Sequence, residues 1–183
     1  MRYFSFFLIL LFPLLKADNT PEPIRVHTWL NGHVERWDVE IGEKEGSFEI
    51  GFKNDPNSWR FVCGERDVVI ETYFKNHFSH WQYTIDGKRY DLETQGIGSW
   101  TRWQLTGDSL AKVRIETFYG ESWDNWRFTS PSVNCEITTR IHKRFEDWEV
   151  TGPHNKLSEA EQIAAMFMPV IIGRIQQKGL FKE

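Results

Sequence analysis

The chain has 183 residues, with 22 Lys and Arg against 26 Asp and Glu and a formal net charge of −4. That acidic balance argues against nucleic acid as a partner, because such binding rests on a basic face that neutralises phosphates.

Residues 1–17 read as a secretory signal peptide, with Arg2 as an early cation, an apolar run from Phe4 to Leu15, and the small residue Ala17 at the cleavage point. A membrane anchor is the rival reading, but about a dozen apolar residues interrupted by Pro13 fall short of the ~20 that span a bilayer. Cleavage removes Arg2 and Lys16 and no acid, which moves the charge from −4 to −6. Taking 17 residues from 183 leaves 166, enough for one domain with a real core. Residues 18–23 then form a short linker and 24–183 a single domain of a secreted, extracellular protein. An oxidising compartment permits a disulfide between Cys63 and Cys135, the two cysteines of the chain; two free, buried thiols are the alternative. Neither Asn19-Thr20-Pro21 nor Asn57-Ser58-Trp59 is a glycosylation sequon.

From Ile24 onward the chain repeats itself. Trp37, Trp59, Trp81, Trp103, Trp126 and Trp148 are spaced by 22, 22, 22, 23 and 22 residues. Eleven residues before each stands Val26, Phe48, Ile70, Leu92, Ile115 or Ile137. Two positions later comes Thr28, Thr72, Thr94, Thr117 or Thr139, with Ile50 as the exception. The next alternate position holds Leu30, Phe52, Phe74, Gly96, Tyr119 or Ile141, and two residues after each tryptophan lies Val39, Phe61, Tyr83, Leu105, Phe128 or Val150. Such period-two alternation between Gly, Asn, Asp and Pro marks half-buried strands, with one face in water and the other on a core. Six units predict twelve short strands between about Ile24 and Thr151.

A hairpin register with each tryptophan opposite the last apolar residue of the preceding strand pairs Phe52 with Trp59, Phe74 with Trp81 and Tyr119 with Trp126. Gly96 breaks that pattern opposite Trp103 and suggests a bulge or a close backbone approach. Turns between units fall at Gly42 to Gly46, Asp86-Gly87 and Ser130-Pro131.

Few residues carry chemistry. His77 and His80 lie three apart in a turn and lack further ligands, so no metal and no cofactor are expected. Glu71, Glu93 and Glu116 recur with the repeat as outward strand positions rather than as an acid/base pair, and no nucleophile motif frames the Ser, His and Asp residues. The chain reads as non-enzymatic. Arg140, His142, Lys143 and Arg144 form its densest basic cluster, the place where an anionic headgroup would bind; a solvated strand end is the plainer alternative. Trp100 and Trp123 fall in hairpin turns, where rings either contact a glycan or protein partner or pack over a barrel end.

After Gly152-Pro153 the period changes. Ser158 and Glu161 make a capping box for a helix over 159–178, in which Met166, Phe167, Val170 and Ile171 belong to a stretch with no polar face. Acids at its start and cations at its end agree with the macrodipole, and Pro169 is a candidate kink. A helix apolar all round must be enclosed. Twelve strands about 4.8 Å apart and tilted about 40° close at a radius of roughly 12 Å, a lumen near the width of one helix. The expected fold is therefore all-β with one C-terminal helix, a twelve-stranded antiparallel barrel enclosing that helix. A β-trefoil, also six hairpins, is the alternative, supported by a 44-residue superperiod (Trp29, Tyr73, Phe118).

The barrel with a central helix, together with the segments Trp81–Leu92 and Gln162–Ile172, resembles the tubby-like barrel superfamily, which includes phospholipid scramblases and LURP-one-related proteins. The resemblance implies a binding module for a phospholipid or membrane surface. The scramblase run of alternating acids and the tubby lysine/arginine pair have no counterpart here. Lipid association comes first, with lectin-like or protein recognition through Trp100 and Trp123 as the alternative.

Overall fold

β-Branched and aromatic residues at every second position leave each segment one apolar face, and the cheapest way to bury twelve such faces is a sheet closed on itself. The computed structural model describes residues 21–30, 33–51, 55–96, 99–108, 110–120 and 122–178; the expected signal peptide and Phe52 lie outside them. The strands are β1 Ile24–Thr28, β2 Arg36–Ile41, β3 Lys44–Gly51, β4 Asp55–Cys63, β5 Arg66–Thr72 and β6 His80–Ile85. They continue as β7 Lys88–Thr94, β8 Arg102–Gly107, β9 Leu110–Thr117, β10 Asn125–Thr129, β11 Asn134–Thr139 and β12 Asp147–Thr151. A short 3-10 turn, His154–Lys156, leads to the helix α1, Glu159–Lys178.

Each strand pairs antiparallel with its neighbours in sequence, and β1 closes on β12 through Ile24↔Val150 and Val26↔Trp148. One ring of all twelve strands is not the trefoil arrangement. All six phased tryptophans are buried in it.

The register differs from the expected hairpin by one step on each face. Trp37 lies opposite Thr28, Trp81 opposite Thr72, Trp103 opposite Thr94, Trp126 opposite Thr117 and Trp148 opposite Thr139. Phe74 and Tyr119, expected beside Trp81 and Trp126, are exposed instead. The reason is local: their carbonyls close four-residue turns, accepting the N–H of His77 at 3.0 Å and of Ser122 at 2.7 Å, as Leu30 does from His33 and Ile141 from Arg144. A residue that opens a turn has left the pleat. Gly96 opens the same turn with φ 95°, and a Cβ added there meets nothing within 4 Å, so its glycine serves backbone conformation and not a close approach.

Neighbouring units lock through the same position. The backbone N–H of Thr28, Ile50, Thr94, Thr117 and Thr139 donates to the carbonyl two residues before the adjoining unit's tryptophan: Glu146, Glu35, Ser79, Thr101 and Asp124. Small side chains at this inward position leave the lumen open for α1.

The helix enters beside the tight turns and ends among the long loops. Its first turn is capped reciprocally, with Ser158 N–H donating to Glu161 Oε2 at 2.7 Å and Glu161 N–H to Ser158 Oγ at 3.4 Å. Arg66 meets Glu159 at 2.8 Å, and the buried Tyr83 hydroxyl donates to the Ala160 carbonyl at 2.7 Å. α1 is continuous through Pro169, and Met166, Phe167, Val170 and Ile171 are all buried. The Phe167 ring packs against Trp81 at 5.2 Å, Phe48 at 5.5 Å and Trp59 at 6.1 Å between centroids. A Cβ on Gly173 would stand 2.5 Å from the Trp37 indole, so the helix approaches the wall as closely as a glycine permits.

The expected disulfide is absent: Cys63 and Cys135 are free and buried. Cys63 ends β4 and Cys135 lies on β11, five strands away by the shorter path round the ring. At about 4.8 Å per strand, that separation far exceeds the ~7 Å Cα limit of a disulfide. Burial, reinforced by Glu161, pushes the Cys135 thiol up to about 11, which leaves it a packing group rather than a nucleophile.

Candidate functional site

A ring of sequential antiparallel strands puts alternate connections at opposite ends. One end carries tight turns at Gly42-Glu43, Gly64-Glu65, Asp86-Gly87, Asp108 and Pro131-Ser132. The other carries the long loops between β1 and β2, β5 and β6, β7 and β8, β9 and β10, and β11 and β12, together with the short β3–β4 connection.

Apolar residues gather at the long-loop end. Trp29 is 57% exposed, Leu30 47%, Tyr73 42%, Phe74 60%, Tyr119 72% and Ile141 50%. Among the described residues, Val69 is the remaining large hydrophobic side chain with comparable exposure, on the barrel wall. The six form an interrupted apolar crown, stiffened by ring contacts: Tyr73 and Phe74 meet edge to face at 4.5 Å, and Tyr73 stacks on His80 at 4.6 Å. Charge divides along the same axis. In the described long loops Lys75, Arg140, Lys143 and Arg144 stand against Glu35, Asp124 and Glu146, whereas the tight turns carry Glu43, Glu65, Asp86 and Asp108 and no cation.

The structure separates the predicted basic cluster. Arg140 is held by Glu149 at 2.9 Å and Asp147 at 3.5 Å, and His142 pairs with Asp124 of the β9–β10 loop. Burial pushes the Asp124 carboxyl up, but hydrogen bonds from Ser122, its own backbone and His142 outweigh it and hold the group below its ordinary value. Lys143 and Arg144 make no ion pair among the described residues, and both border a groove of about 310 Å³ beside the last turns of α1.

Trp100 and Trp123 pack inward. Each is half-buried, with centroids 6.0 Å from Trp103 and 5.8 Å from Trp126, and each carbonyl accepts the indole N–H of that partner, at 2.9 and 2.8 Å. Trp37, Trp81 and Trp148 make the same bond to Val34, Phe78 and Phe145. Val34, Pro56, Phe78, Trp100, Trp123 and Phe145 thus form a further column, three residues before each phased tryptophan. The column keeps the 22- and 23-residue spacing of the phased tryptophans, so Trp100 and Trp123 belong to the repeat and pack over the barrel end.

Other candidates have partners of their own. His80 meets Asp91 at 2.9 Å, and Glu71, Glu93 and Glu116 face outward in the ladder opposite Gln82, Gln104 and Arg127. Among the described residues no three His, Cys, Asp or Glu side chains converge on a point that could hold a metal ion. Arg174, near the end of α1, is nine-tenths buried with its guanidinium 5.5 Å over the Trp59 ring and Nη1 without a hydrogen-bond partner. Among the described residues no helix is long and apolar enough to cross a membrane.

Compared with known proteins, the chain matches no family model, no curated protein and no solved structure.

Proposed function

We propose that this is a secreted, non-enzymatic binding protein, akin to the tubby-like barrels, that rests on phospholipid membranes through its long-loop end. The observation that carries the reading is the crown: Trp29, Leu30, Tyr73, Phe74, Tyr119 and Ile141 are exposed together at one end of a rigid barrel. Folded proteins ordinarily keep large apolar side chains scattered, and a concentrated patch marks an interaction surface. Aromatic rings that are apolar at one end and polar at the other suit the boundary between water and acyl chains. The acidic turns at the opposite pole favour one orientation, with the crown toward an anionic surface. The filled lumen and the mutually paired outer charges support a binding role over catalysis. Glycan or protein recognition through Trp100 and Trp123 has weaker support, since both rings pack against core indoles.

Flotation with phosphatidylcholine vesicles, with and without a fifth of phosphatidylserine, tests the reading. Wild type is expected to float. A variant carrying Trp29→Ser, Phe74→Ser and Tyr119→Ser should lose at least tenfold in partitioning, given roughly 1.5–3 kcal/mol for each fully buried large apolar side chain, while its circular dichroism stays unchanged. Wild type that floats with no vesicle, or a triple variant that floats equally well, overturns the proposal. Retention on a glycan array without vesicle association would favour the lectin-like reading.

A further inference from the structure

We infer that Lys143 and Arg144 form a headgroup seat on the crown, which takes the phosphate of an anionic phospholipid. The inference rests on the membrane reading above and gives it a point of specific contact.

The first observation is conformational. Lys143 has φ 60°, in the left-handed region that a Cβ disfavours. Five residues before the phased tryptophans, the repeat places Gly32, Asn54, Asn76, Gly98, Glu121 and Lys143. Glycine and asparagine fill four of the six in the sequence, and Asn76, the other described position of the set, has the same conformation with φ 66°. The β9–β10 loop meets the same need one residue earlier, at Gly120 with φ 41°. Lysine therefore holds a backbone conformation that glycine and asparagine adopt at least cost, and that its described sister gives to asparagine. Local rules are broken in this way most often where a side chain has work to do.

The second observation is electrostatic. Arg25, Arg36 and Arg140 are each committed to carboxylates, and His142 is held by Asp124. Lys75 and Arg102 also lack an ion pair among the described residues, but Lys75 lies on the β5–β6 loop and Arg102 opens β8. Only at 143 and 144 do two unpaired cations stand side by side in the described crown.

The third is shape. The two side chains border the groove of about 310 Å³ with Val34 and Phe145 as apolar lining, Gln176 as an amide donor and Glu146 as the one carboxylate. Glu146 offsets one of the two positive charges, which leaves the groove matched to a singly charged phosphodiester. Ile141, two residues before Lys143, is 50% exposed on the same loop and would enter the acyl boundary while the cations stay at the headgroup plane.

The test compares vesicles of phosphatidylcholine alone with vesicles containing a fifth of phosphatidylserine. Wild type should prefer the anionic vesicles by roughly tenfold or more, the scale set by two cations at a charged surface. The variant Lys143→Asn with Arg144→Gln copies the asparagine of the sister loop, so it keeps the turn. It should lose the preference to within about twofold while retaining its affinity for phosphatidylcholine. A control carrying Lys75→Asn with Arg102→Gln removes equal charge elsewhere on the crown and should keep most of the preference. A seat variant that retains the preference overturns the inference and leaves the crown reading intact. A control that loses as much as the seat variant overturns it too, since diffuse charge would then suffice. Erasure of the preference by millimolar inorganic phosphate at constant ionic strength would identify the free ion as the ligand and overturn the lipid source. Wild type that binds neither vesicle defeats both proposals.

Discussion

At position 143 a lysine holds the left-handed backbone conformation that the described sister position gives to Asn76. The left-handed region costs a residue with a Cβ about 1–2 kcal/mol, and glycine returns about 0.5–1 kcal/mol of that through its freer unfolded chain. Lys143→Gly should therefore raise unfolding free energy by roughly 0.5–1 kcal/mol, read as a higher urea midpoint. A lower midpoint would show that the lysine makes a stabilising contact and is not strained. The phased indoles illustrate the opposite case, in which local and global demands agree. Each of Trp37, Trp81, Trp103, Trp126 and Trp148 buries its ring in the lumen and satisfies its N–H on a carbonyl three residues back, within its own loop. A buried donor without that acceptor would cost about 1–3 kcal/mol, so one bond makes a large amphipathic side chain acceptable in an apolar core.

Among the elements, α1 stands apart because it has no polar face to give to water. Its hydrogen bonds are internal, its first turn is capped by Ser158 and Glu161, and its surface is met on all sides by the barrel. Phe167 is the best probe of that plug, since its ring meets Phe48, Trp59 and Trp81. Phe167→Ala should cost about 3–5 kcal/mol, measured by chemical denaturation, with the circular dichroism of the strands retained below the transition. A cost under about 1 kcal/mol would mean that the helix does not carry the core. The strands are marginal alone: each is short, and pairing has value only once the ring closes and both edges vanish. Residues 159–178 thus stabilise the barrel and depend on it in turn.

Over the whole molecule, the outer wall bears the charge and sets the response to acid. Asp91 shows the balance: burial pushes its carboxyl up, but hydrogen bonds and charge from Arg89 and His80 outweigh burial and leave it below the ordinary 3.8. Asp55, Asp67 and Asp124 are held below that value as well. Acids with a lower value in the folded state contribute stability above the unfolded value, and it is lost as pH falls through their native values. Thermal melting should change little through these carboxylates between neutrality and about pH 5 and fall below about pH 4. Asp91→Asn should flatten part of that fall. An acid-induced rise in melting temperature, or an unaltered slope in the variant, would contradict the assignment.

Much of this architecture was legible from Val26, Trp37 and their counterparts, because period two and period 22 are both written along the chain. Which side chains turn inward follows from alternation within a single strand, and the start of α1 follows from Ser158 and Glu161, three residues apart. Turn chemistry was harder. Phe74 and Tyr119 share the alternation of the strand before them, but a hydrogen bond across the next three residues takes them out of the sheet. Nothing in their own identity signals the change.

The amino-acid sequence by itself determined twelve inward-facing strands and one helix that must be enclosed, since those are consequences of apolar spacing along a local backbone. Closure of the ring decided the rest. Only when β12 meets β1 do Cys63 and Cys135 fall on distant walls, Arg140 and His142 find carboxylates while Lys143 and Arg144 pair with none among the described residues, and every second loop come to one pole. These are relations between residues far apart in the chain, and three-dimensional packing alone brings them into being.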